Sequence, residues 1–328
     1  MSDGQEQMWA EQRAREQFNK GTGLARRVKD IAKANGIDGQ KALQRFAAES
    51  MLWALTQVQD DDFMIKGGLL WGQRTRATTD ADVLFEKRKS AAQLHAEIQA
   101  AAALLAEHGI RVATEAVRKL EMGGAGRGLR APLRVYIGTS QAVTQLDVSF
   151  GPIPKTATQE TYKGMFKGAP FICFRQSWED AAADRLGAIF QHGFENTRLK
   201  DFRDLYRLRQ RGDLDDAAIC RGLVRYFDDR GMDRAALLRV PDGLTPEYAY
   251  ANRQAWLDRI VRDDPGLPAD FLDVAEDVGD WWLSLRSTLV DLADQQRLEE
   301  RMEVSEVPTL VPGTRNVVSM AAYRVARR

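Results

Sequence analysis

The sequence is poor in the side chains that build disulfide frameworks and zinc sites. Its 328 residues include two cysteines, Cys173 and Cys220, and three histidines, and none of them shows the spacing of a zinc motif. So few cysteines are typical of reduced thiols and favour a cytoplasmic protein. No window approaches the roughly 18 consecutive apolar residues that a membrane span needs, and the charged, polar N-terminus is unlike a signal peptide. We therefore expect a soluble cytoplasmic protein that does not bind a membrane.

An excess of either charge sign is also missing, because 47 Lys and Arg residues balance 47 Asp and Glu residues. The net charge therefore does not favour nucleic acid as a ligand, but the charges are unevenly distributed. Six basic residues lie between Arg111 and Arg134, against two acids, and residues 315–328 hold four arginines and no acid. Conversely, residues 263–280 hold seven acids and no base. The basic regions are candidates for phosphate contact, whereas the acidic stretch suits a partner protein.

The region richest in chemical information is residues 63–85. An apolar run there ends at Gly67 and Gly68, and a basic, threonine-rich loop leads to Asp80 and Asp82 at the start of a second apolar run. Side chains alternate along a strand, so Asp80 and Asp82 leave the same face. Two carboxylates held this close repel each other, and a divalent cation such as Mg²⁺ or Mn²⁺ relieves the repulsion through hard oxygen ligands. Glycines, which have no Cβ, let a nucleotide phosphate approach backbone N–H groups.

Further acidic residues lie downstream on predicted elements. Asp147 is flanked by apolar residues in the run 146–151, which predicts a strand. Asp201 and Asp204 are three residues apart in a helical pattern, so they face roughly the same way. Structural roles without catalysis are the alternative for each of these acids. Asp147 is then an ordinary polar strand position, Asp201 belongs to a surface salt-bridge network, and Asp80 and Asp82 cap a turn.

Hydrophobic periodicity predicts helices at both ends of the chain and strands between them. The N-terminal region predicts one or two helices over 5–34, broken near Gly21 and Gly23, a helix over 39–59 capped by Asp38, and a helix from Ser90 to residue 107. Further strands are expected over 80–85, 110–117, 133–137, 143–150 and 170–175, and further helices over 178–192, 199–211, 215–230, 245–261 and 268–300. The prediction is an α+β chain with a mixed-sheet domain over 1–160 and a helical domain over 161–328.

Four motifs in this order resemble the AbiEii/AbiGii family of nucleotidyltransferase toxins, which includes the MenT-type toxins. The resemblance covers roughly residues 50–210. The motifs are Lys66-Gly67-Gly68, Arg76-Ala77-Thr78-Thr79-Asp80-Ala81-Asp82, Leu146-Asp147-Val148-Ser149-Phe150-Gly151 and Lys200-Asp201-Phe202-Arg203-Asp204-Leu205. Two positions depart from the family pattern, since Leu69 replaces a threonine and Arg185 replaces a lysine. The resemblance implies a polymerase-β-like nucleotidyltransferase core, a mixed sheet with flanking helices, followed by a helical domain.

The resemblance also implies a role for each motif residue. The catalytic residues would be Asp80, Asp82 and Asp147, which also bind metal, together with Arg185 and Asp201. The nucleotide-binding residues would be Lys66, Gly67, Gly68, Arg74, Arg76 and Lys200. Thr78 occupies the position of a hydroxyl that is phosphorylated or otherwise modified in related toxins, and a phosphate there would add about −1.5 to −2 charges beside Asp80. The alternatives are solvated surface for Arg74 and simple loop packing for Thr78.

The function that the resemblance implies is transfer of a nucleotide from a nucleoside triphosphate to RNA, with the 3′ end of tRNA as acceptor and a divalent metal as cofactor. Such an enzyme would be the toxin of a toxin–antitoxin or phage-defence pair, so a cognate antitoxin protein would be its partner. One alternative changes the acceptor to a protein or to a small cationic molecule, for which the acidic stretch 263–280 would supply a pocket. Another alternative is a nucleotide-binding or partner-binding module without catalysis.

Overall fold

The computed structural model describes residues 3–71, 78–121, 127–164 and 170–305. The helices in these ranges are α1 (Asp3–Ala34), α2 (Gly39–Val58), α3 (Ala91–Glu107), α4 (Trp178–His192), α5 (Leu199–Arg209), α6 (Asp216–Asp229), α7 (Pro246–Trp256) and α8 (Phe271–Ser305). The strands are β1 (Phe63–Lys66), β2 (Asp80–Phe85), β3 (Ile110–Thr114), β4 (Arg118–Glu121), β5 (Arg127–Ile137), β6 (Ser140–Phe150), β7 (Thr158–Tyr162) and β8 (Phe171–Arg175).

The strands of the described ranges form one mixed sheet. Their order is β3-β5-β6-β2-β1-β8-β7, and β4 pairs with β5 outside this path. β2 runs parallel to β6 and antiparallel to β1, while β1 runs parallel to β8. Helices flank this sheet, and the chain continues from α4 onward as a helical region. The predicted α+β class, with a mixed sheet and flanking helices, is therefore confirmed, and β2 with its two aspartates lies near the middle of the sheet.

Local sequence signals begin and end several elements as predicted. The Asp38 side chain accepts a hydrogen bond from the Lys41 backbone N–H at 2.8 Å and caps α2. Ser90 caps α3 in a reciprocal capping box with Gln93. The prediction missed two short strands, β4 and β7. Neither has apolar residues at every second position, because each lies at or near the margin of the sheet and buries little side-chain surface.

The predicted break of the first helix near Gly21 and Gly23 is wrong, because α1 continues through both residues. A Cβ built on Gly21 would overlap the carbonyl oxygen of Gly109 and the backbone nitrogen of Gly138. Gly21 therefore allows the backbone of α1 to lie directly on two turns of the sheet layer, which is a packing role. Gly23 has no atom within 4 Å of the equivalent Cβ position.

Buried apolar side chains form two clusters that adjoin inside α4. The first lies between α1–α3 and the sheet and includes Ala181, whereas the second lies among α4–α8 and begins at Ala182. Trp71 and Trp178 pack against both clusters, with their ring centroids 5.0 Å apart. The division into domains at residue 160 stays a prediction. Among the described helices, none is both long enough and apolar enough to cross a bilayer.

Candidate active site

Four charged side chains lie side by side across adjacent strands. Lys66 on β1 pairs with Asp82 on β2, Asp82 pairs with Asp147 on β6, and Asp147 pairs with Arg130 on β5. Directly paired residues project from the same face of a sheet. We call these four residues the charged row; its two carboxylates are flanked by one cation at each end.

The alternation of β2 explains why its acids reach this face. Ala81, Val83 and Phe85 are buried, whereas Asp80 and Asp82 are half-buried. The apolar residues pack in the first hydrophobic cluster, so the intervening residues must leave the opposite face. The sequence prediction that Asp80 and Asp82 share a face is confirmed by this pattern.

Gly67 lies directly against the carboxylate of Asp82. It adopts φ +61, and a Cβ built there would overlap Asp82 Oδ2. Glycine is required at this position both by the left-handed backbone and by the close approach of the carboxylate. The adjacent Leu69, which replaces the expected threonine, is buried in the first hydrophobic cluster, so its side chain belongs to the core.

Asp147 is held by a fork of hydrogen bonds. Arg130 donates from Nε to Oδ1 and from Nη2 to Oδ2, both at 2.7 Å, and Gln145 Nε2 donates to Oδ2 at 3.2 Å. The hydrogen bonds and charge of Asp147 raise the pKa of the Arg130 guanidinium. The sequence prediction placed Arg130 only in a basic segment. Its place opposite Asp147 follows from the hairpin register, since Ile137 pairs with Ser140 and the pairing continues back to these two residues.

Asp80 carries a charge that its surroundings compensate poorly. Burial raises its pKa most, and the nearby negative charge of Asp147 raises it further, while a hydrogen bond from Thr79 and the charges of Lys200 and Arg130 oppose this effect. The Thr79 hydroxyl donates to Asp80 Oδ1 at 3.1 Å. A carboxylate that is costly to ionise within reach of a second carboxylate favours binding of a cation.

A cleft of about 440 Å³ separates the charged row from helices α4, α5 and α6. It brings together most of the residues predicted for the site. Those that line it are Lys66, Gly67, Gly68, Asp82, Asp147, Arg185 and Asp201. Asp80 and Lys200 are not part of its lining but influence each other through charge. Arg74 and Arg76 lie outside the described residues.

Two ion pairs position the helical wall of this cleft. Arg185 is 6% exposed, and it donates from Nε to Asp204 Oδ2 at 2.8 Å and from Nη1 to the Ala181 carbonyl oxygen at 2.7 Å. Burial acts to lower the pKa of Arg185, but the charges of Asp204 and Asp201 raise it overall, so Arg185 stays charged. Asp201 accepts a hydrogen bond from Arg198 Nε at 2.7 Å, and its negative charge raises the pKa of Arg185.

Sequence reasoning missed an aromatic and cationic group on the same wall. The Arg230 guanidinium lies 3.5 Å from the ring centroid of Tyr226, whose hydroxyl donates to Gln191 Oε1 at 2.7 Å. Burial raises the pKa of Tyr226 to about 12, so this hydroxyl stays protonated near neutral pH. No local motif marks these residues, because only the packing of α4 against α6 brings them to the cleft.

The predicted modification residue Thr78 is 6% exposed, and its hydroxyl donates to the Asp80 carbonyl oxygen at 3.2 Å. Its modification stays a prediction, and a kinase would have to reach a hydroxyl that is buried in this conformation.

Binding of a divalent metal depends on the carboxylates of the site. Asp80 and Asp82 provide the hard oxygen donors that Mg²⁺ prefers, whereas Arg130 holds Asp147. Within the described ranges, no three acidic, His or Cys side chains form a ready metal cluster.

A family model gives the class of protein to which this chain belongs, that of the nucleotidyltransferases. The model for the nucleotidyl transferase AbiEii toxin of type IV toxin–antitoxin systems matches residues 51–280. This span is more than half of the chain and contains the whole charged row. The protein belongs to this family of nucleotidyltransferase toxins. The resemblance that the sequence motifs indicated is confirmed.

Two solved structures from Helicobacter pylori are distantly similar. JHP933 is 13% identical, with a TM-score of 0.43, over 78% of this chain and 98% of that one. A protein described as a candidate nucleotidyltransferase is 14% identical, with a TM-score of 0.46, over 76% of this chain and 97% of that one. Both similarities are too distant to bear on function. No curated protein matches the chain.

Proposed function

We propose that this toxin transfers a nucleotide from a nucleoside triphosphate to RNA, at the 3′ end of tRNA, with a divalent metal as cofactor. The observation that carries the proposal is the charged row facing a cleft whose opposite wall presents arginines. Carboxylates on one wall suit a metal, and cations on the other suit phosphate. A volume of about 440 Å³ lies within the range of about 300–1,000 Å³ that is usual for small-ligand sites.

Asp80 and Asp82 would hold the metal, because they leave the same face of β2 and the pKa of Asp80 is raised, and Asp147 would join them once Arg130 releases it. When bound, such an ion supplies positive charge to the reacting phosphate oxygens. Gly67, which has no Cβ, leaves room for the Asp82 carboxylate directly beside the backbone. Lys66, at the end of the charged row, supplies a cation next to Asp82.

The reaction requires a hydroxyl oxygen of the acceptor to attack the α-phosphorus while the bond to pyrophosphate breaks. The proton of that hydroxyl must leave, and Asp147 is the carboxylate of the charged row best placed to take it, since it is the neighbour of Asp82 on the parallel strand β6. Arg130 donates hydrogen bonds to both carboxylate oxygens of Asp147 at 2.7 Å, so Arg130 must release one of these oxygens before Asp147 can accept the proton. The pyrophosphate then departs with its charge balanced by the cations of the cleft.

RNA can approach along the sheet on the side of β3, β4 and β5. Arg111, Arg118 and Arg134 on these strands are exposed and share a face with Arg130, which continues the basic surface into the cleft. Such a run of cations binds a phosphate backbone without regard to sequence. The basic residues 315–328 lie outside the described residues.

Four of the seven acids in the stretch 263–280 form ion pairs within the protein. Their partners are basic residues of α2, α5 and α7. These pairs are Lys41–Asp263 at 2.6 Å, Arg207–Asp264 at 2.8 Å, Arg253–Asp270 at 3.8 Å and Arg209–Asp277 at 3.0 Å. Carboxylates already paired in this way make a poor pocket for a cationic drug, so RNA is favoured over a small cationic acceptor. The antitoxin remains the partner that the family implies.

The experiment is to incubate the purified protein and total tRNA with Mg²⁺ and each α-³²P-labelled nucleoside triphosphate in turn. We expect one nucleotide to label tRNA, and we expect no label with Asp80→Ala. Asp60→Ala is the matched control, since Asp60 is an exposed acid that does not line the cleft; it should label as the wild type does.

Absence of label from a protein whose expression still arrests growth would overturn tRNA as the acceptor and direct the search to proteins or small molecules. Absence of both label and toxicity would favour the module without catalysis. The intact aspartates of the charged row oppose that alternative, because a binding module has no chemical need for them.

A further inference from the structure

The helical wall of the cleft contains an arginine that the motif comparison did not assign. Arg185, at the position expected to meet phosphate, is 6% exposed and gives two of its nitrogens to Asp204 and the Ala181 carbonyl. Arg198 also lines the cleft, and its side chain is 61% exposed. The cation that a ligand can reach on this wall is therefore Arg198 more than Arg185.

Buried residues fix the position of Arg198. The Asn196 side chain accepts the Arg198 backbone N–H at 2.8 Å, and Asn196 is itself held through its carbonyl oxygen by the hydroxyl of Tyr248. Asp201, which is also buried, accepts from Arg198 Nε at 2.7 Å. The backbone and the inner nitrogen of Arg198 are thus anchored, and an anchored guanidinium loses little entropy when it binds a ligand.

The outer nitrogens of this guanidinium remain available. In the part of the chain that the structure describes, no residue accepts a hydrogen bond from Arg198 Nη1 or Nη2. The charge of Asp201 raises the pKa of Arg198 most, against the effect of burial, and the charge of Asp82 across the cleft raises it further. Arg198 therefore faces the charged row, and its Asp201 contact leaves Nη1 and Nη2, with their four N–H groups, for an anion.

We propose that Arg198 binds the β- and γ-phosphates of the nucleoside triphosphate through its Nη nitrogens, and that Asp201 is a positioning residue for it. The proposal rests on the proposed function and adds the residue that holds the leaving group. The α-phosphorus must lie near Asp82 and Asp147 for transfer, so the remaining phosphates extend toward the opposite wall, where Arg198 lies. A planar guanidinium can bind two phosphate oxygens at once.

The test compares binding of a nucleoside triphosphate and of the matching monophosphate, each with Mg²⁺, by calorimetry. The nucleotide is the one that labels tRNA, or each of the four in turn. Arg198→Ala should weaken triphosphate binding by about tenfold to a hundredfold and leave monophosphate binding within about threefold of the wild type. The triphosphate affinity of Arg198→Lys should lie between those of the wild type and Arg198→Ala, because an ammonium keeps the positive charge but cannot bind two phosphate oxygens as a planar guanidinium does.

Arg234→Ala is the matched control. The Arg234 side chain is 60% exposed and does not line the cleft. Its Nε and Nη2 donate hydrogen bonds to the two carboxylate oxygens of Asp228 at 2.7 and 2.6 Å. Its loss should leave both affinities unchanged. Asp201→Asn should weaken triphosphate binding in the wild type but have little further effect in the Arg198→Ala background, because a positioning residue acts through the residue that it positions.

Equal triphosphate affinity in the wild type and in Arg198→Ala would overturn the inference and leave the proposed function intact. Equal weakening of triphosphate and monophosphate would also overturn it, since the side chain would then support the shape of the cleft. A folded wild-type protein that binds no nucleotide would refute the proposed function itself.

Discussion

Arg130 and Asp147 stand opposite each other on β5 and β6, and the guanidinium of Arg130 holds both carboxylate oxygens of Asp147 at 2.7 Å. The Arg130 guanidinium thus binds the Asp147 carboxylate, which the sequence analysis predicted to be a metal ligand. The arginine and a metal ion compete for the same oxygens. Release of Arg130 is therefore expected to accompany cation binding at Asp147.

The first prediction follows from this competition. Arg130→Ala should tighten binding of Mn²⁺ in the absence of nucleotide by about tenfold, because one competing charge is removed from a partly buried carboxylate. Titration of free Mn²⁺ by electron paramagnetic resonance measures this affinity directly. Arg134→Ala, which removes an exposed arginine from the same strand, should leave it unchanged. Unchanged or weaker Mn²⁺ binding by Arg130→Ala would contradict the competition.

The second prediction concerns Gly67. Gly67→Ala places a Cβ on Asp82 Oδ2 and forces φ +61 on an alanine, so transfer should be lost and the free energy of unfolding should fall by about 1–3 kcal/mol. Gly36→Ala separates the cost of the left-handed backbone from the cost of the steric overlap, because Gly36 has φ +66 and no atom within 4 Å of its Cβ position. Denaturant unfolding of both variants gives the comparison. A Gly67→Ala protein that loses no more stability than Gly36→Ala would show that Asp82 can move aside.

The third prediction uses the raised pKa of Asp80. For an acid whose pKa is higher in the folded state, the stabilising contribution is present below the unfolded pKa of about 3.9 and is lost as the pH rises through the folded pKa. At neutral pH the ionised Asp80 therefore costs stability. Asp80→Asn should raise the melting temperature of the metal-free protein near neutral pH, and this gain should shrink as the pH falls into the acid range.

Asp147→Asn provides the contrast for that experiment. It removes the charge that accepts the Arg130 fork, so it should not raise the melting temperature. Melting curves by scanning calorimetry across the pH range test both variants. A gain for Asp80→Asn that is the same at every pH would contradict the assigned ionisation.

The fourth prediction separates two glycines of α1. Gly21→Ala should destabilise the protein, by about 1–3 kcal/mol as in other overpacked sites, because its Cβ would overlap the backbone of Gly109 and Gly138. Gly23→Ala should stabilise it by about 0.5–1 kcal/mol, since alanine is the better helix former and the position is open. Unfolding free energies in urea measure both changes. A stabilising Gly21→Ala would show that α1 can lift from the sheet layer.

Much of the fold and part of the site could be predicted from local sequence. The alternation of Asp80 and Asp82 with Ala81 and Val83 indicates a strand with one acidic face, and Asp38 and Ser90 mark helix starts, because each signal involves residues close in the chain. The prediction of a helix break at Gly21 was wrong, because the sequence does not distinguish a glycine that ends a helix from one that allows close packing.

The family of this protein, its aspartates, its Gly-Gly turn and the alternation that places acids on one face of β2 could all be inferred from the chain of residues alone. The partners of these residues depend on tertiary packing. Arg130 reaches Asp147 through strand register, Arg185 is engaged by Asp204, and Arg198 faces Asp82 across the cleft. The residues in these three relationships are 17, 19 and over a hundred positions apart. They depend on how the sheet and the helices pack, because side-chain partners at such separations are set by packing and not by local pattern.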